Sequence, residues 1–241
     1  MSALPVPSRR TAVLVAVVAA AVVVVLGIAV DVAWSPLVRV DTAIEDAMRS
    51  WALGSPWAVE WSRTLERVGG LGVSALVTTV VVLVLLVARR WRLAVGVVAI
   101  AVVAPLVTTG LKVVLGRARP VWEDPLGHEA TFSYPSGHAT GGLAVYAVGG
   151  IALACLLRDR RWALAVALVS TGVGLLIGVS RVVLGVHWPS DVVGGWCVAI
   201  AVAAAFLALL LPHLPAADGP APPPIHQQAD PPAPPPRPRP R

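Results

Sequence analysis

Six long stretches without a charged residue constrain this chain more than any other feature. Each is 18 to 20 residues long and contains no Asp, Glu, Lys, Arg or His; they are residues 11–30, 71–88, 93–111, 139–157, 162–180 and 192–211. About 20 apolar residues, rising 1.5 Å each, cross a hydrocarbon core of roughly 30 Å. The stretches are rich in valine, but in lipid a helix satisfies its backbone within one segment. We therefore predict an all-α polytopic membrane protein, a bundle of six transmembrane helices.

The composition excludes an ordinary soluble globule. Charged residues make up 13% of the chain and apolar residues 57%, whereas a soluble domain carries about 25% charged residues. The arginines behind the net charge of +6 occur in short clusters between apolar stretches, which is typical of membrane topology rather than of a DNA-binding face. We expect a multi-pass protein of the plasma membrane, with the lipid bilayer and no nucleic acid as its partner.

The chain divides into a membrane domain and two terminal segments. Residues 11–30 follow Arg9 and Arg10 and exceed the roughly 7–15 apolar residues of a signal-peptide core, which favours an anchor. Short arginine-rich loops at residues 89–92 and 158–161 predict that both termini are cytoplasmic. Residues 1–10 are then a cytoplasmic segment and 11–211 the membrane domain. Residues 212–241, which include 13 prolines, are predicted to be a disordered cytoplasmic tail.

The first outer loop, residues 31–70, is long enough to hold structure of its own. Asp41 is predicted to cap a short helix that presents Ile44, Met48 and Trp51 on one face. Such a helix would lie in the membrane interface. A loop packed over the bundle is the alternative, and the sequence leaves both open.

Polar residues gather where windows three to six begin or end. An alternating topology places all these positions on the outer side of the membrane. They are Lys112, Arg119, Ser136, Gly137, His138, Arg181, His187 and Asp191. Lys112 is the single lysine among 19 basic residues, which suggests that this position requires an ammonium group.

This set of side chains suits phosphoryl chemistry. Three converging cations indicate a multiply charged anion, because arginine forks onto phosphate oxygens and lysine acts as a point charge. Ser136, Gly137 and His138 open a predicted helix, whose N-terminus attracts anions. Of two histidines, one can attack phosphorus while the other protonates the leaving oxygen. Asp191, four residues after His187, can accept its Nδ1–H and leave Nε2 free.

The motifs resemble the three-part signature of the phosphatidic acid phosphatase type 2 superfamily. They are Lys112-x6-Arg119-Pro120, Pro135-Ser136-Gly137-His138 and Ser180-Arg181-x5-His187-x3-Asp191. The resemblance implies a six-helix membrane enzyme that removes phosphate from lipid phosphates without a metal or another cofactor. Its bacterial members act on polyprenyl diphosphates, phosphatidylglycerol phosphate or phosphatidic acid, and we favour the first.

The resemblance also implies a role for each matched residue. His187 would be the nucleophile, Asp191 its orienter and His138 the acid–base. Lys112, Arg119 and Arg181 would form a phosphate cage, and Ser136 and Gly137 would also contact the phosphate.

Other interpretations stay open at this point. A non-enzymatic lipid-phosphate binder or scaffold would need the cations but no nucleophile. His187 and Asp191 could be two metal ligands, although the nearby cations would repel a divalent ion. Arg117, outside the signature, could equally be a snorkelling anchor. His128 and Glu129 are predicted to lie in a solvated loop, where Glu129 could alternatively touch a lipid head group.

Overall fold

The computed structural model describes residues 4–5 and 7–210. Within these residues the chain forms helices and no strand. The helices are α1 (Arg9–Asp31), α2 (Ser35–Leu53), α3 (Pro56–Gly69), α4 (Leu71–Val87), α5 (Trp91–Leu115), α6 (Gly137–Ala154), α7 (Arg160–Val183) and α8 (Pro189–Leu210). The predicted tail, residues 212–241, lies outside the described residues, as does the last residue of the sixth window.

Five of these helices are long and apolar enough to cross a membrane: α1, α5, α6, α7 and α8. A sixth span exists if α3 and α4, which meet at an angle of 55°, are counted together. The all-α membrane fold predicted from the windows is therefore confirmed. The second window falls on α4, which continues α3 across a sharp break instead of starting independently.

The break between α3 and α4 lies at Gly69 and Gly70. Gly70 adopts an extended conformation, with φ −66° and ψ 157°, and ends one helix while beginning the next. Helix ends leave carbonyl groups without intrahelical partners. Here the hydroxyl of Tyr146, on α6, donates to the carbonyl of Val68 at 2.5 Å. The break is thus tied to the helix that begins with the Ser136-Gly137-His138 motif.

Close backbone contact fixes α6 against α7. A Cβ atom added to Gly142 would lie 2.7 Å from the carbonyl oxygen of Gly174, and the converse distance is also 2.7 Å. Small residues allow membrane helices to approach in this way. Gly142 lies about one turn from His138, and Gly174 about two turns from Arg181. The contact therefore sets the separation between these two predicted site residues.

Helix α2 lies over the end of the bundle at which α8 begins, with its polar face inward. Its buried residues include Asp41, Glu45 and Arg49, spaced four apart, while Ile44 and Trp51 are 43% and 44% exposed. This segment is therefore helical, and Ile44 and Trp51 of the face predicted to be apolar point away from the protein, whereas Met48 is half-buried and packs against the hydrophobic residues beneath α2. The helix thus packs over the bundle, as one of the two alternatives predicted, and leaves Ile44 and Trp51 exposed.

The prediction that Asp41 caps this helix is wrong. Helix α2 begins at Ser35, with a proline in its first turn, where the fixed φ of proline favours helix initiation. Asp41 therefore lies in mid-helix. Its Oδ1 atom instead accepts the backbone N–H of Ser190 at 2.9 Å, in the first turn of α8. The carboxylate caps a helix, but a different one.

Candidate active site

The C-terminal ends of α5 and α7 and the N-terminal ends of α6 and α8 meet beneath the loop of residues 116–136, at one end of the bundle, as the alternating topology predicts. A cavity of about 570 Å³ opens there and runs along α5. Its lining includes Pro105, Thr108, Lys112, Arg117, Arg119 and Gly137. Beside it, Arg181, His187 and Asp191 are buried.

His187 is buried and held between Arg119 and Asp191. Its Nε2 lies 3.0 Å from Arg119 Nη1, and its Nδ1 lies 3.3 Å from Asp191 Oδ2. Because a guanidinium can only donate, Nε2 must accept, and the ring proton therefore sits on Nδ1, facing Asp191. Burial lowers the pKa of His187 to about 3, although Asp191 opposes the shift. The ring is therefore neutral near pH 7, with its lone pair on Nε2.

Asp191 is fully buried and accepts hydrogen bonds on both oxygens. Oδ2 accepts from the Ser133 hydroxyl at 2.5 Å and from the Trp188 backbone N–H at 2.9 Å. Oδ1 accepts from Arg117 Nη1 at 2.5 Å. The His–Asp pairing that the four-residue spacing predicts is present, within a network that the spacing did not reveal.

Arg117 belongs to the site rather than to the membrane surface. Its side chain is 12% exposed and bridges two carboxylates, those of Asp41 and Asp191. The interpretation of Arg117 as a snorkelling anchor is therefore set aside. Both partners lie more than 70 residues away in the sequence, so no local pattern could have identified them.

The three signature cations are largely buried. Lys112 Nζ donates to the carbonyl of Phe132 and, at 3.4 Å, to that of Ser133. Arg119 donates to the carbonyls of Thr131 and Val186, each at 2.6 Å. Arg181 is completely buried. Backbone carbonyls of the covering loop thus orient two of the three cations.

Two carboxylates that the sequence did not place in the site contact Arg181. Glu66, on α3, lies 2.7 Å from Nη1, and Glu129, in the covering loop, lies 2.8 Å from Nη2. The same oxygen of Glu129 lies 3.6 Å from His138 Nδ1. The prediction that Glu129 is solvated is wrong, because the loop folds back over the cations. His128 beside it is exposed, as predicted.

The three residues at the start of α6, Ser136, Gly137 and His138, have different surroundings. The Ser136 hydroxyl is buried and accepts from the Ala139 backbone N–H at 3.4 Å, which caps the helix. Gly137 lines the cavity, and a Cβ atom added there would have no heavy atom within 4 Å. Protein packing does not require this glycine, so space beside its backbone is free for a ligand. His138 follows, with its side chain 21% exposed.

No cluster of three or more His, Cys, Asp or Glu side chains suited to a metal ion occurs within residues 7–210. The metal interpretation of His187 and Asp191 thus lacks a third ligand in that part of the chain.

Comparison with known proteins identifies similar sequences. A family model described as the PAP2 superfamily matches residues 92–213. The chain is 38% identical over 90 residues to phosphatidylglycerophosphatase B of Bacillus subtilis, covering 36% of this chain and 42% of that protein. It is 42% identical over 77 residues to undecaprenyl-diphosphatase BcrC of Bacillus subtilis, covering 31% and 34%. It is also 38% identical over 65 residues to an undecaprenyl-diphosphatase of Sulfolobus acidocaldarius, covering 27% of each. These matches span less than half the length of each relative.

A solved structure is similar over most of the fold. It is the crystal structure of a transmembrane PAP2 type phosphatidylglycerolphosphate phosphatase from Bacillus subtilis. The TM-score is 0.72 at 25% identity, and the match covers 82% of this chain and 96% of that one.

Proposed function

Since this chain belongs to the PAP2 superfamily, we propose that it is an integral-membrane lipid phosphate phosphatase that acts through a phosphohistidine. The observation that carries the proposal is the neutral His187 ring, whose Nε2 lies 3.0 Å from Arg119 Nη1 and accepts its N–H. A phosphate oxygen that accepts the Arg119 N–H in place of Nε2 is brought within reach of the Nε2 lone pair. Binding alone would need no such nucleophile.

The proposed reaction has two steps. Nε2 of His187 attacks phosphorus, the bond from phosphorus to the lipid-side oxygen breaks, and that oxygen takes a proton from His138. Water then attacks the phosphohistidine and gives its proton to His138, so that inorganic phosphate leaves and the neutral ring returns. Asp191 accepts the Nδ1–H throughout and stabilises the positive charge that the phosphorylated ring acquires.

The cations supply the charge stabilisation. Lys112, Arg119 and Arg181 carry three positive charges in a largely buried site, where electrostatic stabilisation of a phosphoryl transition state is strong. Kinases use Mg²⁺ for this purpose. We propose that fixed side chains replace the metal here.

The cavity favours a substrate that remains in the bilayer. It extends from the site to Pro105, seven residues and about 10 Å below Lys112 on a helix. A phosphate head group can therefore reach the cations while the hydrocarbon chain of the lipid lies along α5, in the bilayer. We favour a polyprenyl diphosphate, because two of the three similar proteins are undecaprenyl-diphosphatases. Phosphatidylglycerol phosphate and phosphatidic acid are the alternatives.

Phosphate release by the purified protein tests the proposal. We expect release from at least one of these three lipids in detergent, insensitive to EDTA and abolished by His187→Ala. His128→Ala is the matched control, because His128 is exposed in the same outer region and its loss should leave the rate unchanged. Silence on every lipid would favour a binder, and activity lost with EDTA and restored by one divalent ion would favour a metal mechanism.

A further inference from the structure

We propose that Asp41 and Arg117 are positioning residues that hold Asp191 ionised and aimed at His187, so that the outer helix α2 is part of the catalytic apparatus. The inference rests on the proposed function. Neither residue belongs to the family signature on this chain, and neither touches His187.

Asp41 joins α2 to the start of α8. It is 1% exposed, and the hydrogen bonds that it accepts from described residues come from Arg117 and Ser190, at the site end of the bundle. Oδ1 accepts the Ser190 backbone N–H at 2.9 Å, and Oδ2 accepts the Ser190 hydroxyl at 2.5 Å. Ser190 immediately precedes Asp191, so Asp41 fixes the turn from which the Asp191 side chain projects.

Arg117 joins Asp41 to Asp191 directly. Nη2 lies 2.6 Å from Asp41 Oδ2, and Nη1 lies 2.5 Å from Asp191 Oδ1. Nη1 also lies 2.8 Å from the Ser190 hydroxyl. One guanidinium therefore spans two buried carboxylates, a geometry that its planar fork allows and that a lysine could not reproduce.

The order of charges explains why both residues are needed. A buried carboxylate without a counter-charge is costly, and Arg117 provides that charge to Asp191. A guanidinium without a second carboxylate beside it would, however, offset the negative charge of Asp191 and weaken the hydrogen bond that Asp191 accepts from the His187 Nδ1–H. Asp41 offsets Arg117 from the other side. The resulting sequence of charges, negative, positive, negative, leaves Asp191 able to stabilise the cationic ring that forms on phosphorylation.

The arrangement predicts a loss of turnover without a loss of phosphate binding. Among the described residues, neither Asp41 nor Arg117 is hydrogen-bonded to any of the three signature cations. The three cations are thus expected to bind the head group as before. We expect kcat to fall about 100-fold in Arg117→Gln and about tenfold in Asp41→Asn, with KM within about threefold of wild type.

A double-mutant cycle tests the coupling, on the lipid that wild type hydrolyses. If Arg117 transmits the effect of Asp41, the double variant should be no slower than Arg117→Gln alone. Asp46→Asn is the control, because Asp46 is exposed on the same helix and should retain wild-type kinetics. If a variant fails to fold in detergent, Arg117→Lys replaces Arg117→Gln. It keeps the charge but can hold only one carboxylate, and kcat should still fall at least about tenfold.

The outcomes separate this inference from the proposed function. An inactive wild type contradicts the proposed function and, with it, this inference. An active wild type with Asp41→Asn or Arg117→Gln equal to Asp46→Asn contradicts the inference alone. So does a rise in KM that matches the fall in kcat, or a double variant whose loss is the product of the two single losses.

Discussion

At the scale of single residues, the two histidines of the site have different surroundings. His187 is buried between an arginine and an aspartate, whereas the His138 side chain is 21% exposed and faces Glu129. The buried His187 ring, shielded from water, suits nucleophilic attack on phosphorus. The partly exposed His138 ring suits proton exchange with a leaving group and with water. The two roles should therefore separate experimentally.

His138→Ala should lose activity according to the leaving group. A lipid alkoxide needs a proton to depart, so we expect a loss of roughly 10²–10⁴-fold on lipid phosphates. A nitrophenolate leaves without help, so the same variant should retain far more relative activity on an aryl phosphate. Single-turnover rates give the comparison, because His138 also activates water in the second step. Rescue of His187→Ala instead of His138→Ala by the aryl phosphate would reverse the two assignments.

The site residues that the sequence predicted differ from those that it did not in how far their partners lie along the sequence. The signature positions were identified because each motif is local: His187 and Asp191 lie four positions apart, and the Ser136 motif is contiguous. Arg117 and Glu129 acquire their roles from partners that are 52 to 76 residues distant. A single sequence carries no record of such long-range pairs, so the role of Arg117 was left open and Glu129 was predicted to be solvated.

At the scale of elements, α2 carries a second buried acid with a consequence for stability. Glu45 is completely buried, with the Trp122 indole as the neighbour that faces its carboxyl group. Burial raises the pKa of Glu45 from its usual 4.5 to about 7. The folded protein therefore keeps this carboxyl protonated at a pH where the unfolded chain has already released the proton.

Glu45→Gln should remove a pH dependence of stability. Below pH 4.5 both states of the wild type are protonated, and its stability falls as pH rises from about 4.5 to 7. Above pH 7 the full cost is felt, up to about 3 kcal/mol. In detergent, the melting temperature of Glu45→Gln should match wild type near pH 5 and exceed it near pH 8. The exposed control Asp31→Asn, at a carboxylate that does not act on Glu45, should follow wild type, and an equal fall with pH in Glu45→Gln would contradict the assignment.

Element boundaries were predictable only where charge marked them. The windows located α1 and α4 to α8 because a charge-free stretch of this length has few alternatives in a membrane chain. The bend at Gly69 and Gly70 was not predicted, because no charged residue marks it and because it depends on contact with α6. Asp41 was assigned to the wrong helix because a capping side chain can serve any helix end that reaches it.

At the scale of the whole molecule, the orientation in the membrane is still a prediction. The counts of basic residues on the two sides are equal once the tail is set aside, so the prediction rests on the short arginine-rich loops at residues 89–92 and 158–161. Cytoplasmic loops at these positions place the site on the outer side. Outer-leaflet lipids would then be the substrates, and both termini would be cytoplasmic.

Labelling of single cysteines in intact cells tests the orientation. With Cys155 and Cys197 replaced, an impermeant maleimide should react with Glu123→Cys, in the covering loop, but not with Arg90→Cys, between α4 and α5. Both positions are exposed, so the difference reports the side of the membrane. Lysed cells, in which both positions should react, supply the control. The reverse pattern would move the site to the cytoplasmic side.

Direct detection of a phosphorylated His187 tests the central claim most closely. Purified protein is mixed with a lipid that carries a radiolabelled terminal phosphate, quenched in denaturant at alkaline pH because phosphohistidine is acid-labile, and mapped by peptide analysis. The proposed chemistry predicts label on the peptide containing His187, formed at least as fast as turnover and absent from His187→Ala. Label on His138, or phosphate release at the full rate with no labelled protein, would contradict it.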